Sequence, residues 1–463
     1  MLPFFRCFLE VFIKKISAAW QAFRQAFLSD WDILKEQRTA MSSGTVHIFI
    51  PTNRRIPPDL ALTKVGALFF AKPLQIRQDS LKIYLSMGKL WEVDPMYRFS
   101  VPCLMGVEGL VADELKFKGF EQVQAENGRV LFSGDERACA RANILLRCGE
   151  RVLLRVADFT AKSFDALFEN VKSLPWEEFI GEKEAFPVKG FSIHSQLHSV
   201  PDCQRIIKKA VVERLKLVRH TDWLEESGVK HQIQFSLMND RCEIFLDTTG
   251  APLFKRGYKL EQNEATLRET LAASMVKVAR WKGREDFIDP FCGSGTIAIE
   301  AAMTALNIAP GARRQFDAAL WNDSFKQAFA EERAAALAAE KHEKLPILAS
   351  DKNPNCVRLT RENAARAGVA DCMEFAVQDA LDIDWKSRTG VMMANPPYGV
   401  RMMDVQQARK LYFDLGRAMK GSSLKQYIIC SDEQFEQNFG KPADKRRKLY
   451  NGMIKCNLYC WFK

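Results

Sequence analysis

The apolar positions of this chain fall into three regimes. In the first, Phe5, Phe8, Phe12, Ile16, Trp20, Phe23, Phe27 and Trp31 recur at helical spacing with Lys14, Lys15 and Arg24 between them, the pattern of a basic amphipathic surface helix. From Met41 to Asp94 no period is sustained, and Pro51, Pro57, Pro58 and Pro73 interrupt the chain. Two readings stay open for residues 1–95. They are either a membrane-attachment helix, or a poorly ordered extension, such as an over-long translation start, with no catalytic part.

The second regime begins at Tyr97. A strand is expected around Phe99 to Met105, then a helix that presents Val107, Leu110, Val111 and Leu115 on one face and stops at Gly119. Arg151 to Val156 reads as a strand, Phe164 to Val171 as a helix and Phe191 to Leu197 as a strand. Pro201 to Val218 reads as a helix with Ile206, Ile207, Ala210, Val211 and Leu215 inward. Gln232 to Leu237 and Glu243 to Leu246 alternate at period two about Asn239-Asp240, which predicts a hairpin. This α+β stretch holds no glycine-rich loop and no cluster of catalytic residue types, so binding is expected of it rather than chemistry.

The third regime follows the basic connector Lys255-Arg256-Gly257-Tyr258-Lys259. Leu267, Leu271, Met275 and Val278 mark a helix, Phe287 to Asp289 a strand, and a loop and helix run on to Leu306. Strand Ile347 to Ser350, helix Pro354 to Ala367 ended by Gly368, and strands Met373 to Val377 and Val391 to Ala394 continue the alternation. A helix around Leu411 to Met419 and a strand Gln426 to Cys430 come next. Such alternation implies a mostly parallel sheet covered on both faces. Arg447 to Tyr450 and Met453 to Trp461 flank Asn451-Gly452, so an antiparallel hairpin should close that sheet.

Composition narrows the class. The 463 residues are 47% hydrophobic and 27% charged, enough for several domains with real cores. No apolar run approaches the roughly 18 residues of a membrane-spanning helix. Twelve cysteines are scattered singly from Cys7 to Cys460, which predicts a reducing, cytoplasmic setting rather than a disulfide framework. His194 and His198 have no further candidate ligands near them, and no metal is expected. The net charge of +10 is concentrated at the ends. Lys445, Arg446, Arg447 and Lys448, near Tyr450, Tyr459 and Trp461, suit a phosphate backbone with exposed bases, or are simply a solvated strand face.

Ligands of open α/β sheets bind beyond the carboxyl ends of the strands, and four such positions stand out. In Asp289-Pro290-Phe291-Cys292-Gly293-Ser294-Gly295-Thr296 the glycines permit a tight turn whose amides open onto a ligand at a helix start. The sequence lacks the GK[ST] ending of a phosphate-binding P-loop, while Gly293, Gly295 and Ala298 fit GxGxxA, so a nicotinamide or flavin enzyme stays in view. Asp351, ending the next strand, is suited to the ribose hydroxyls of a nucleoside cofactor, and Asp379 to an adenine amino group; each alone is more often a turn or cap residue, and their place at consecutive strand ends reverses that balance. In Asn395-Pro396-Pro397-Tyr398 two prolines restrict the backbone, which fixes the Asn395 side-chain oxygen and the Pro396 carbonyl as a pair of acceptors for an exocyclic amine. Tyr398 offers a face on which a base can stack.

Together these motifs resemble the S-adenosylmethionine-dependent amino-methyltransferases. The longer pattern adds Leu267-Arg268-Glu269-Thr270, Asn307-Ile308-Ala309-Pro310-Gly311 and the closing run from Lys445 to Gly452. It is similar to the bacterial 23S ribosomal RNA guanine-N2 methyltransferases that carry an amino-terminal THUMP domain. The resemblance spans residues 96–463 and implies a ferredoxin-like part (96–160), a THUMP-like RNA-binding part (161–250), a connector (251–265) and a Rossmann-like class I methyltransferase domain (266–463). It implies S-adenosylmethionine as cofactor, with Gly293 and Gly295 along its methionine part, Asp289 at its amino group, Asp351 at the ribose and Asp379 at the adenine. Thr270 and Phe291 join that cofactor-binding set, and Asn395, Pro396, Pro397 and Tyr398 take the target base. The implied partner is 23S ribosomal RNA or an assembly intermediate. Transfer RNA as substrate, or a non-catalytic RNA-binding assembly factor, are the competing readings.

Overall fold

The computed structural model describes residues 96–259, 267–397 and 404–462. The amphipathic pattern from Phe5 to Trp31 therefore lies outside the described residues, as does Tyr398. Two seven-stranded sheets carry the fold.

The first sheet is built from β1 (Tyr97–Pro102), β2 (Glu121–Glu126), β3 (Arg129–Gly134), β4 (Leu153–Thr160), β5 (Val188–Ile193), β6 (Ile233–Met238) and β7 (Arg241–Asp247), in the order β2-β3-β1-β4-β7-β6-β5. Helices α1 (Glu108–Phe117), α2 (Glu136–Leu145), α3 (Phe164–Lys172) and α4 (Val200–Arg219) supply the apolar faces that cover it. In α4 the side chains of Ile207, Ala210, Val211 and Leu215 are buried as their spacing predicts, while Ile206 is only half-buried. The hairpin between β6 and β7 turns on Asn239 (φ +51°) and Asp240 (φ +64°), the left-handed pair that a two-residue turn requires and that these two residue types tolerate best. Antiparallel pairing of β4 with both β1 and β7 makes the two halves of this region one continuous sheet.

The β2–β3 hairpin and α2 carry no expectation from the periodicity. For β2 the reason is exposure: it reads Glu-Gln-Val-Gln-Ala-Glu and buries nothing fully, so it offers no apolar alternation. The Asn127-Gly128 turn between the two strands, with Gly128 at φ +73°, was the available signal. The strand expected from Arg151 runs instead from Leu153 to Thr160.

The second sheet contains β8 (Asp286–Asp289), β9 (Ile347–Asp351), β10 (Glu374–Val377), β11 (Gly390–Ala394), β12 (Lys425–Cys430), β13 (Lys445–Asn451) and β14 (Ile454–Trp461), in the order β10-β9-β8-β11-β12-β14-β13. The first five neighbours are parallel, and β14 and β13 close the sheet antiparallel. Its helices are α5 (Glu269–Ala279), α6 (Thr296–Ala305), α7 (Asp323–Ala338), α8 (Pro354–Arg366), α9 (Val405–Ala418) and the short α10 (Phe435–Phe439). In the closing hairpin Asn451 pairs with Ile454, so the turn is Gly452-Met453, one residue beyond the expected Asn451-Gly452. Gly452 sits at φ +63° in the first turn position, which selects a turn that starts on glycine over one that starts on asparagine.

The two sheets are tied by polar contacts at tight packing. Arg147 donates to the carbonyls of Met303 (3.1 Å) and Ile308 (2.7 Å). Gly311 donates from its amide to Ile144 (2.9 Å), and a Cβ at Gly311 would lie 2.6 Å from the Asn143 carbonyl oxygen. The Asn307–Gly311 motif is thus a docking element, where glycine is needed for close backbone approach. A buried cluster of Arg256, Tyr258 and Glu300 completes the junction, with the Tyr258 hydroxyl donating to Glu300 at 3.1 Å.

Candidate active site at the strand ends

Register places the motif residues along one edge. Asp289 pairs with Ala349, Val377 with Asp351, Ile288 with Met392 and Ala394 with Ile428. The ends of β10, β9, β8 and β11 are therefore neighbours, and they carry Asp379, Asp351, Asp289 with its glycine loop, and Asn395, in that spatial order. Between β9 and β11, strand β8 sits where the chain order reverses, the position at which open α/β sheets form their ligand crevice.

The glycine loop is shaped by its own hydrogen bonds. Cys292 donates from its amide to Ser350 (2.9 Å), and Gly295 donates to Cys292 (2.6 Å). From α8, buried Thr360 donates to the Gly293 carbonyl (3.0 Å) and buried Asn363 to the Ser294 carbonyl (2.8 Å). Gly293 and Gly295 both have positive φ, +52° and +84°. They differ in what lies beside them. A Cβ on Gly295 would meet Thr360 Cγ2 at 2.7 Å, whereas a Cβ on Gly293 would enter open space. Gly295 is glycine for packing and conformation; Gly293 leaves room on the ligand side. Burial pushes the Cys292 thiol up, so this cysteine is a core residue and not a nucleophile.

Asp289 is 1% exposed, and neither carboxylate oxygen has a hydrogen-bond partner of good geometry among the described residues. Burial pushes its pKa up to about 8; the amides of Phe291 and Ala298 draw it down, and the charge of Asp351 adds to the rise. A buried, unpartnered carboxylate calls for a cation. Asp351 accepts from the Gly293 amide (3.2 Å) on Oδ2 and from the Asn353 amide (2.9 Å) on Oδ1, so it braces the loop while each oxygen keeps a second lone pair. Asp379 caps the short turn after it, accepting from the Leu381 amide (3.0 Å) through one oxygen. Phe291 is half-buried against the core that holds Trp385 and Tyr412. Thr270 is the outlier: its hydroxyl donates to Glu150 (2.5 Å) in the first sheet's region, at the junction between the sheets.

On the other side of β8, Asn395 follows β11. Its Oδ1 is buried and has no hydrogen-bond partner among the described residues. Tyr412 of α9, fully buried, donates its hydroxyl to the Pro397 carbonyl (2.9 Å) and so holds the Asn395–Pro397 turn from beneath. Thr360, Asn363 and Tyr412 are supports that the sequence reading did not single out. The first two left a trace, being polar residues on the buried face of an amphipathic helix. Tyr412 left none, since it continues the apolar stripe of Ala408 and Leu415.

The unpartnered Asp289, the free space at Gly293 and the spare lone pairs of Asp351 fit a nucleoside cofactor with a cationic amine. Comparison with known proteins agrees. Residues 98–153 match the RlmL ferredoxin-like domain, 161–247 the THUMP domain and 256–459 the RMKL-like methyltransferase domain. The "Putative RNA methyltransferase YpsC" of Bacillus subtilis is 42% identical over 359 residues, 77% of this chain and 93% of that protein. The "Ribosomal RNA large subunit methyltransferase K/L" of Psychromonas ingrahamii is 33% identical over 78% of this chain, and this chain spans only 50% of it. Among solved structures, "a predicted N6-adenine-specific DNA methylase" from Listeria monocytogenes is similar at 38% identity and TM-score 0.76, covering 81% of this chain and 98% of that one. "SMU.472, a putative methyltransferase complexed with SAH" is similar at 36% identity and TM-score 0.75, covering 79% of this chain and 98% of that one. This chain therefore belongs to the family of S-adenosylmethionine-dependent methyltransferases in which a ferredoxin-like and THUMP region precedes an RMKL-like methyltransferase domain.

Proposed function

We propose that the protein transfers a methyl group from S-adenosylmethionine to the exocyclic N2 of a guanine in large-subunit ribosomal RNA. The observation that carries this reading is the spatial order of strand ends: Asp379, Asp351, Asp289 with the glycine loop, then Asn395. It matches a ligand laid out as adenine, ribose and methionine, with a target amine just beyond the methyl group. The RNA-directed names of the relatives and the match to a THUMP domain support RNA over DNA as the substrate. In this reading residues 96–160 and 161–250 bind RNA, 251–265 connect, and 266–463 bind cofactor and base.

The bound cofactor supplies an electrophilic methyl group. Asp289 holds the cofactor's amino group, Asp351 the ribose, Asp379 the adenine amine, and Gly293 and Gly295 let the backbone pass close to the methionine chain. Asn395 Oδ1 and the Pro396 carbonyl accept the two N–H bonds of the target amine. Holding both hydrogens draws the nitrogen lone pair out of conjugation with the ring and aims it at the methyl group, which is catalysis by positioning and electrostatics. Tyr398 stacks on the base. Formation of the N–C bond would break the S–C bond and leave S-adenosylhomocysteine as a neutral thioether, and the methylated nitrogen would give up its proton to water.

The test is methyl transfer from labelled S-adenosylmethionine to unmodified ribosomal RNA, transfer RNA and DNA in parallel, followed by nucleoside digestion and mass spectrometry. N2-methylguanosine from ribosomal RNA alone is expected. The same nucleoside from transfer RNA moves the substrate and keeps the chemistry; N6-methyladenine in DNA overturns the reading.

A further inference from the structure

Strand alternation divides the basic run of β13. Arg446 meets Glu436 at 2.6 Å, and Lys448 lies 5.5 Å from the ring centre of Tyr450. Tyr459 and Trp461 are buried, so the expectation that they lie open beside the patch is corrected: both point into the core around Phe435. Lys445 and Arg447 face the other way. They line a cleft of about 360 Å³ with Arg280, Lys425, Tyr427 and Phe462.

Three features of this cleft call for a polyanion. Among the described residues, none of its four cations makes an ion pair, and Arg447 Nε is shut off from water without any acceptor. The nearby acid, Asp444, is engaged by the Phe462 amide at 2.7 Å. Tyr427 and Phe462 meet edge to face at 6.3 Å, and Phe462 is 43% exposed, so an aromatic edge is open beside the cations. The cleft lies where β12 begins, at Lys425, while β12 ends at Cys430 beside the turn of Asn395. The two ends of this six-residue strand are five steps apart, about 17 Å at roughly 3.3 Å per residue. A single strand whose base enters the active site can cover that distance with a few nucleotides.

We propose that this cleft, at the sheet edge opposite the cofactor, grips the phosphodiester backbone of single-stranded RNA flanking the target base, with Phe462 as a stacking surface. The proposal rests on the RNA reading above. The test uses the full chain carrying Arg280→Gln, Lys425→Gln and Lys445→Gln, three exposed positions, against the control Lys326→Gln, Lys341→Gln and Lys344→Gln, which removes the same charge elsewhere on the surface. Binding to an unmodified ribosomal RNA transcript and to a uridine homo-oligomer is measured across a salt series, together with S-adenosylhomocysteine binding. Loss of three phosphate contacts makes the slope of log affinity against log salt shallower by about 2 and weakens binding about tenfold at low salt. Cofactor affinity should stay at the wild-type value, and the control should keep the wild-type slope. A cleft variant with wild-type slope and affinity overturns this proposal alone, and so does a control that loses as much. A wild-type protein that binds neither RNA overturns the RNA reading and the cleft with it.

Discussion

The two sides of β8 are held in different ways. On the cofactor side the glycine loop is fixed by a set of internal hydrogen bonds from Thr360, Asn363 and Asp351, so its shape exists before any ligand arrives. On the base side the turn of Asn395 is fixed by two successive prolines and one hydroxyl from Tyr412, and its acceptor Oδ1 has no partner among the described residues. Each side also keeps a buried oxygen acceptor without a partner among the described residues, the Asp289 carboxylate on the first and Asn395 Oδ1 on the second. Preorganised binding and preorganised chemistry therefore respond to different mutations.

The largest effect should come from Asn395→Ala. Removing one oriented acceptor at a reacting amine is expected to lower kcat by about 10²- to 10³-fold, with S-adenosylhomocysteine affinity unchanged by calorimetry. Equal turnover in wild type and variant would show that the amine is held by other groups. Next, Asp351→Ala removes both the loop brace and the ribose acceptor, and cofactor affinity should fall roughly 10- to 100-fold, about 1.4–2.7 kcal/mol. The KM for RNA should not follow it. A matched pair sharpens the comparison further: Thr360→Val and Tyr412→Phe each delete the hydroxyl that holds a backbone carbonyl of the site, a bond worth about 1 kcal/mol of stability. Thr360→Val should raise the KM for cofactor several-fold and leave the KM for RNA alone. Tyr412→Phe should lower kcat and leave cofactor binding alone.

The smallest effect is a proton. Burial pushes the Asp289 carboxyl up to about 8, well above the ordinary carboxylate range, so it keeps its proton at neutral pH. Its neutral form favours the folded state at low pH, and that contribution fades as pH rises through the folded value. A cofactor ammonium favours the ionised form instead. Binding of S-adenosylhomocysteine at pH 7 should thus release close to one proton, seen as a buffer-dependent enthalpy, and affinity should climb with pH and level off above about 8. Asp289→Asn should release none. A wild-type enthalpy independent of buffer would mean that Asp289 is already ionised or does not meet the amino group.

Most of the site was legible because its residues are marked by local chemistry. Positive-φ glycines, a Pro-Pro pair and carboxylates at strand ends announce themselves without knowledge of the fold, and the sheet order places them side by side. What stayed hidden depends on partners distant in sequence. Thr270 sits in a family motif, yet its hydroxyl faces Glu150, 120 residues away. Lys445 and Arg447 could be separated from Arg446 and Lys448 only once the register of β13 fixed which face each side chain takes. The β2–β3 hairpin escaped because hydrophobic periodicity reports burial, and a strand at a solvated sheet edge has little to report.

The junction around Gly311 has a consequence for how a target is chosen. With the Gly311 amide on Ile144 and Arg147 reaching two carbonyls of the methyltransferase domain, the region of the first sheet and the strand ends of the second are parts of one frame. Such a frame works as a ruler. In the proposed function it would select a nucleotide by its distance and direction from a docked structural landmark, so the sequence around that nucleotide could vary as long as the RNA keeps its shape.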